Sequence, residues 1–395
     1  MKKILLASAM AAAVVVPGLS SAQVKVGIIL GFTGPLESIT PGMAASAELA
    51  FKEVSDSRAL LDGQKVEPIR ADSTCTDAAA ASAAAERLIT ADGVAAIMGA
   101  DCSGVTTAIA NNVAIPKGVV MVSPSATSPA LTTIKDNGLF FRTAPSDARQ
   151  GEVLAGIVKG RGIDNIAITY TNNDYGKGLS ESFSNSFKAI GGKVAAVAAH
   201  EDGKADYAAE VGALAASGAK DLAVFGYVDQ GGRGIIRAAV DAGAFSRFVL
   251  ADGMIGQSLI DNIGKDLTSS FGTLPGNDGE GAQRFSTLAT AAGIDVNGPY
   301  RGESYDAAAL IMLAMQAAKS TDRGAIKGKI MAVANGPGVK ILPGELAKGL
   351  KILAEGGEVD YVGATNVELT DVGESAGSYK ELEVKAGKFA TIKVH

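Results

Sequence analysis

The side chains able to do covalent or metal chemistry are few. His200 and His395 are the only histidines, Cys75 and Cys102 the only thiols, and His395 is the last residue. A zinc site or a His-dependent nucleophilic triad needs more imidazole and thiolate than that inventory supplies. The sequence contains no GxxxxGK phosphate loop and no His-Glu-x-x-His. Gly231-Gly232-Arg233-Gly234 is glycine-rich but lacks GxGxxG spacing. The inventory therefore argues against an enzyme, a resident cofactor and a bound metal. What it offers instead is neutral donors and one carboxylate at the ends of apolar runs. Ser103 directly follows Cys102; Ser125, Ala126 and Thr127 sit in a Ser/Pro-rich loop; Asp252 stands just beyond the apolar residues 248–251, and Tyr175, Tyr227 and Tyr300 follow or precede similar runs. Each has a plainer alternative: helix caps and turns for the hydroxyls, a solvated Asp-Gly turn for Asp252, and packing for the tyrosines.

Residues 1–22 read as an export leader rather than as part of a fold. Lys2 and Lys3 precede an apolar run over residues 4–16, and Ser20-Ser21-Ala22 places small side chains before a cleavage point at Gln23. That run is well short of the roughly twenty residues a bilayer core requires. No Cys stands at the junction to accept a lipid, and no later stretch is apolar for long enough to span a membrane. A freely soluble exported protein is expected, not a transporter. With 395 residues, 47% hydrophobic and 20% charged, the chain can fill two domains. Its 36 basic residues face 42 acidic ones, a balance opposite to that of a nucleic-acid binder. In an exported chain the isolated pair Cys75 and Cys102 reads as one disulfide, worth about 3–4 kcal/mol in the chain-entropy estimate. Two buried free thiols are the alternative.

Elements must position these residues, and their order is regular. Residues 24–30 form a short apolar strand pattern and 43–54 a helical stripe; strand and helix patterns then alternate through 65–71, 78–90, 94–98, 106–112 and 119–123. The rhythm restarts after residues 140–145. Helix 150–159, strand 166–170, helix 178–190, strand 193–199, helix 207–216, strand 222–225, helix 234–242 and strand 248–251 follow in turn. A further change falls near 272–275, a helix pattern covers 305–318, and the tail from 373 reads as a hairpin turning near Ala386-Gly387. This βαβα order predicts an α/β protein of two doubly wound parallel-sheet lobes with the ligand cleft between them.

Several separate blocks carry a resemblance. Ile28-Ile29-Leu30-Gly31-Phe32-Thr33-Gly34-Pro35, Asp72-Ser73-Thr74-Cys75, Asp101-Cys102-Ser103-Gly104, residues 123–129, Asn173-Asp174-Tyr175-Gly176-Lys177-Gly178, and Tyr300 ahead of Ser304-Tyr305-Asp306-Ala307 are together similar to the leucine/isoleucine/valine-binding family of type I periplasmic binding proteins. The resemblance spans the chain from Val24 onward. It implies three hinge crossings, near Thr143, Thr273 and Leu369. Lobe 1 would then comprise 23–143 with 274–369, and lobe 2 would comprise 144–273 with 370–395. It also implies hinge closure around a small amino acid, delivery to an ABC permease in the inner membrane, and a monomer with no cofactor and no nucleic-acid partner.

An amino-acid zwitterion needs both charges satisfied, since enclosing either alone costs several kcal/mol. By resemblance, Ser103, Ser125, Ala126 and Thr127 would grip the backbone end, Asp252 would take the ammonium, and Tyr175, Tyr227 and Tyr300 would form an aromatic cover. The loop Glu37-Ser38-Ile39-Thr40-Pro41 departs from the family pattern and lacks the aromatic residue usual before the following glycine, leaving the side-chain pocket open. Branched-chain or other aliphatic amino acids are the expected ligands; an enzyme or sensor on the same scaffold, or a binder of carboxylates without an amine, is the competing reading. Thiol titration of the unfolded, unreduced protein is expected to find essentially no free thiol; two equivalents would remove the disulfide.

Overall fold

The computed structural model describes residues 23–395, and the expected leader at residues 1–22 lies outside the described residues. Strands β1 (Gln23–Leu30), β2 (Lys65–Asp72), β3 (Ala96–Gly99), β4 (Val120–Ser123) and β5 (Phe140–Arg142) form one parallel sheet in the order β2-β1-β3-β4-β5. Its central strands are apolar on both faces, as helices on both sides require: Ile28, Ile29, Ile97, Met98, Val120 and Val122 are fully buried.

The second sheet repeats the plan. Strands β6 (Asn165–Thr171), β7 (Lys193–His200), β8 (Asp221–Phe225), β9 (Arg247–Leu250) and β10 (Phe271–Pro275) are parallel in the order β10-β9-β8-β6-β7. A small parallel pair, β11 (Val339–Ile341) and β12 (Val359–Tyr361), lies apart from both sheets. The tail hairpin, β13 (Tyr379–Lys385) and β14 (Lys388–Val394), then adds antiparallel to β10 and turns through Ala386 and Gly387, both at positive φ. In each sheet the winding reverses between the first and third strands, β1/β3 and β6/β8. At such a switch point the loops leaving the strands diverge and open a crevice beyond the carboxyl ends.

Several elements differ from the sequence pattern in extent. The helix expected at 106–112 begins at Ser103, and the one expected at 234–242 begins at Gly231. The glycine run therefore lies inside a helix start. A Cβ on Gly232 would stand 2.3 Å from Met254 Sδ and 2.9 Å from the Tyr227 carbonyl, so glycine is there for close approach. Strand β10 continues past the crossing expected near Thr273, because Pro275 still pairs with Tyr379. Helices Glu280–Ala291 and Leu346–Ala354 and the β11–β12 pair had no counterpart in the sequence reading. Helix Arg301–Ala318 packs on helix Thr40–Ser57 and against β3 and β4 of the first sheet, returning the last third of the chain to that lobe. Among the described residues no helix is long and apolar enough to cross a membrane.

A buried guanidinium ties the end of β5 to the segment 373–375. Arg142, 1% exposed at the end of β5, donates from Nη1 to the carbonyls of Ala126 and Ser128, at 3.0 and 2.9 Å, and pairs with Glu374 through Nε and Nη2. Its backbone N–H donates to Gly373 O at 3.0 Å, and its carbonyl accepts from Ser375 at 3.1 Å. Removing one partner of a buried pair leaves the other charge and several carbonyls unsatisfied. Arg142→Met is therefore expected to lose about 3–5 kcal/mol of unfolding free energy in urea titration; a loss below about 1 kcal/mol would show the pair to be dispensable.

Candidate functional site

The loops at the two switch points face one narrow cavity. From the first lobe come Leu36 and Ile39 in the loop after β1, Met43 in helix Thr40–Ser57, Asp101, Cys102 and Ser103 after β3, and Ser125 after β4. From the second come Tyr175 after β6, Tyr227 after β8, and Asp252 and Gly253 after β9; Tyr300, at the start of helix Arg301–Ala318, closes the ring. Ser103, Ser125, Tyr175, Tyr227, Asp252 and Tyr300 thus meet in one place. Ala126 and Thr127 do not line the cavity. The Ala126 N–H donates to Ser123 Oγ at 2.9 Å and its carbonyl is taken by Arg142, while the Thr127 hydroxyl lies against Asp147.

Asp252 is 3% exposed, which excludes the solvated-turn alternative. The Tyr175 hydroxyl donates to its Oδ1 at 2.9 Å, and the Tyr300 hydroxyl donates to Oδ2. Gly253 permits this packing, because its N–H approaches Tyr175 Oη at 3.2 Å and a Cβ there would meet Gly226 O at 2.6 Å. Burial pushes the Asp252 carboxyl up from the ordinary range, against the Tyr300 and Tyr175 hydroxyls, which favour the charged form. Tyr175 and Tyr300 are therefore carboxylate donors as well as cavity wall. Tyr227 stacks on Tyr175 with centroids 5.2 Å apart, and Asn173 reaches its hydroxyl at 3.4 Å.

The opposite pole is neutral. Ser103 opens helix Ser103–Ile109; its Oγ accepts the Ser128 N–H at 3.0 Å, leaving the hydroxyl proton for another acceptor. The first N–H groups of any helix lack intrahelical partners, so those at this start add donors. The Ser125 hydroxyl, by contrast, is spent on the Asp101 carbonyl at 3.0 Å. Cys75 and Cys102 form a disulfide that joins the loops after β2 and β3 beside the cavity. Cys75, Asp101 and Cys102 are the one set of clustered metal-type donors among the described residues, and both sulfurs are committed to that bond.

A family model described as periplasmic binding protein matches residues 23–345. The chain belongs to the periplasmic binding protein family. It is 30% identical over 320 residues to a Leu/Ile/Val-binding protein homolog of Brucella melitensis, covering 80% of this chain and 84% of that one. Its fold is similar to that of a leucine binding protein from Thermotoga maritima, with TM-score 0.79, 24% identity, and coverage of 94% and 98%. It is also similar to a solute binding protein of Rhodopseudomonas palustris solved with 4-hydroxybenzoate, with TM-score 0.75, 19% identity, and coverage of 94% and 97%.

As a member of this family, the protein also places residues at the cavity that the sequence alone did not single out. Leu36, Ile39 and Met43 supply an apolar wall from the unusual opening loop, where the only legible signal was the missing aromatic. Asp101 is buried but internally satisfied, accepting from the Gly31 N–H and the Ser73 hydroxyl, both at 3.0 Å. Behind Asp252 lies a second buried carboxyl, Asp147, held well above the usual range by burial and by the Asp252 charge. Tyr300→Phe removes a donor to buried Asp252, so its carboxyl rises further, and the stability deficit is present at high pH and shrinks as falling pH protonates the group in both states. A deficit of about 1–3 kcal/mol at pH 8 that narrows as the pH falls through the raised native-state range of Asp252 is expected in parallel urea titrations; a deficit independent of pH would show that the hydroxyl does not act through Asp252.

Proposed function

We propose that the protein is the solute-binding component of an ABC importer, closing its two lobes around an aliphatic or branched-chain L-amino acid. The observation that carries this reading is the buried Asp252 carboxylate in a cavity otherwise walled by apolar side chains, neutral donors and internally satisfied groups. A carboxylate offers about four lone-pair sites, and two tyrosine hydroxyls occupy only part of that capacity. An ammonium placed there gains charge-assisted hydrogen bonds. Across the cavity, the Ser103 hydroxyl and the N–H groups opening its helix suit the ligand carboxylate. Leu36, Ile39 and Met43 face the space left for a side chain, and an aliphatic group matches them. The Leu/Ile/Val-binding relative supports the same ligand class.

The rest follows from that role. The leader at residues 1–22 would be removed on export, leaving a monomer in the periplasm that presents its closed form to an inner-membrane permease. The lobes, 23–143 with 274–369 and 144–273 with 370–395, would move as two bodies about the three crossings. No chemical step on the ligand is required. The Tyr175–Tyr227 stack favours one alternative, an aromatic acid of the kind bound by the Rhodopseudomonas protein, but a second acid group would face Asp252 unfavourably.

A thermal-shift screen over amino acids and carboxylic acids tests this directly, because a ligand that binds only the folded state raises the melting temperature. Leucine, isoleucine or valine is expected to give the largest shift. Asp252→Ala should weaken binding by about 2–3 kcal/mol, roughly 30- to 150-fold in Kd. Stabilisation confined to acids without an amine would overturn the site assignment, and a chemically altered ligand recovered after incubation would overturn the binding role itself.

A further inference from the structure

A second cleft of about 950 Å³ lies on the other side of Tyr300 and opens to solvent. One wall belongs to the first lobe: Ala282, Phe285 and Ser286 of helix Glu280–Ala291, and Arg301, Gly302 and Glu303 of helix Arg301–Ala318. The facing wall belongs to the second sheet, through Leu274, Lys380, Leu382 and Phe389. Two ionisable groups of opposite sign face this space without a side-chain partner. Glu303 is 4% exposed, and neither its carboxyl nor the Lys380 ammonium has a side-chain hydrogen bond or ion pair among the described residues. They sense one another, since Lys380 lowers the Glu303 pKa, yet they do not touch. The Arg301 guanidinium at the same rim is spent on the carbonyls of Ile39 and Asp295.

We propose that this cleft is a second binding site, one that takes a small zwitterion, with its ammonium at Glu303 and its carboxylate toward Lys380. Charging a buried carboxyl is costly without a cation beside it, and a zwitterion set between the two groups satisfies both at once, the Glu303 proton leaving to solvent as the ammonium arrives. In the unoccupied arrangement burial and Asp306 push Glu303 up to about 8, the state an arriving ammonium would reverse. Phe285, Leu274 and Phe389 leave room for an apolar substituent. Because the walls come from different lobes, an occupant here bears on lobe movement. Tyr300 is the partition between the two cavities and also a donor to Asp252, so the two sites are coupled through one side chain.

The test is a two-step NMR titration of the full mature chain. L-leucine is added to saturation, then glycine to about 10 mM, a range that reports millimolar affinities. Glycine is expected to shift the amides around Asn277, Gly302 and Lys380 saturably. Glu303→Gln and the more exposed Lys380→Met should each weaken this second event by about tenfold or more, while leucine affinity stays within about twofold. The absence of saturable shifts at those amides, or shifts equally strong in both variants, would overturn the proposal. So would a Lys380→Met protein altered only in leucine affinity, which would mark a direct Glu303–Lys380 closure contact instead. The Asp252 assignment stands or falls separately, since Asp252→Ala reports on the leucine step and the Glu303 and Lys380 variants on the glycine step.

Discussion

Everything at the interlobe cavity turns on keeping one carboxylate charged in a place that disfavours charge. Asp252 emerges from β9 in the second sheet, but one of its two tyrosine donors, Tyr300, precedes a helix packed on the first. The stabilisation of that charge therefore depends on both lobes being in place. A group so held is a strong receiver for a cation, because a low-dielectric surrounding magnifies every favourable partner it acquires. It is also a liability when partners are lost, which is why glycine at 253 and two well-placed hydroxyls accompany it.

The two lobes present their binding groups by the same geometric rule. In each, the first, third and fourth strands of the unit, β1, β3 and β4 or β6, β8 and β9, end at the cavity, on either side of the point where the winding reverses. What differs is chemistry. The first lobe supplies apolar side chains and neutral donors; the second supplies the stacked tyrosines and the carboxylate. Arg142 links this arrangement to the crossings by holding the 126–128 loop with one nitrogen and Glu374 of the returning chain with the others. The second interlobe cleft, beyond Tyr300, sits where the same relative movement would be felt.

Much of this plan was legible in the residues, for physical reasons that also mark where it stopped. Strands such as β4 and β8 are short, nearly continuous apolar runs bounded by helical stripes, so the alternation and the two-unit organisation could be read. The clustering of Ser103, Tyr175, Tyr227, Asp252 and Tyr300 could be approached only through family resemblance, since spacing along the chain says nothing about which strand ends converge. Ala126 and Thr127 are instructive: their loop reaches the cavity through Ser125, but their polar groups face Arg142 and Asp147. Asp147 sits in an ordinary helix-start context, and nothing local signals that it will be buried beside Asp252. The three-residue strands β11 and β12 are too short to show a period, and Gly349 dilutes that of helix Leu346–Ala354.

Helix Arg301–Ala318 has a consequence for how the chain reaches this state. It is buried on nearly all sides, covering β3 and β4, yet it is separated from them by the whole of the second α/β unit. During synthesis the first five strands would emerge long before the segment that seals them. Native pairings across so long an interval form slowly, and uncovered apolar surface is prone to aggregation in the meantime. The second unit, whose first five strands are contiguous in sequence, can assemble without waiting, and the amino-terminal unit is the one left uncovered until its last helix arrives.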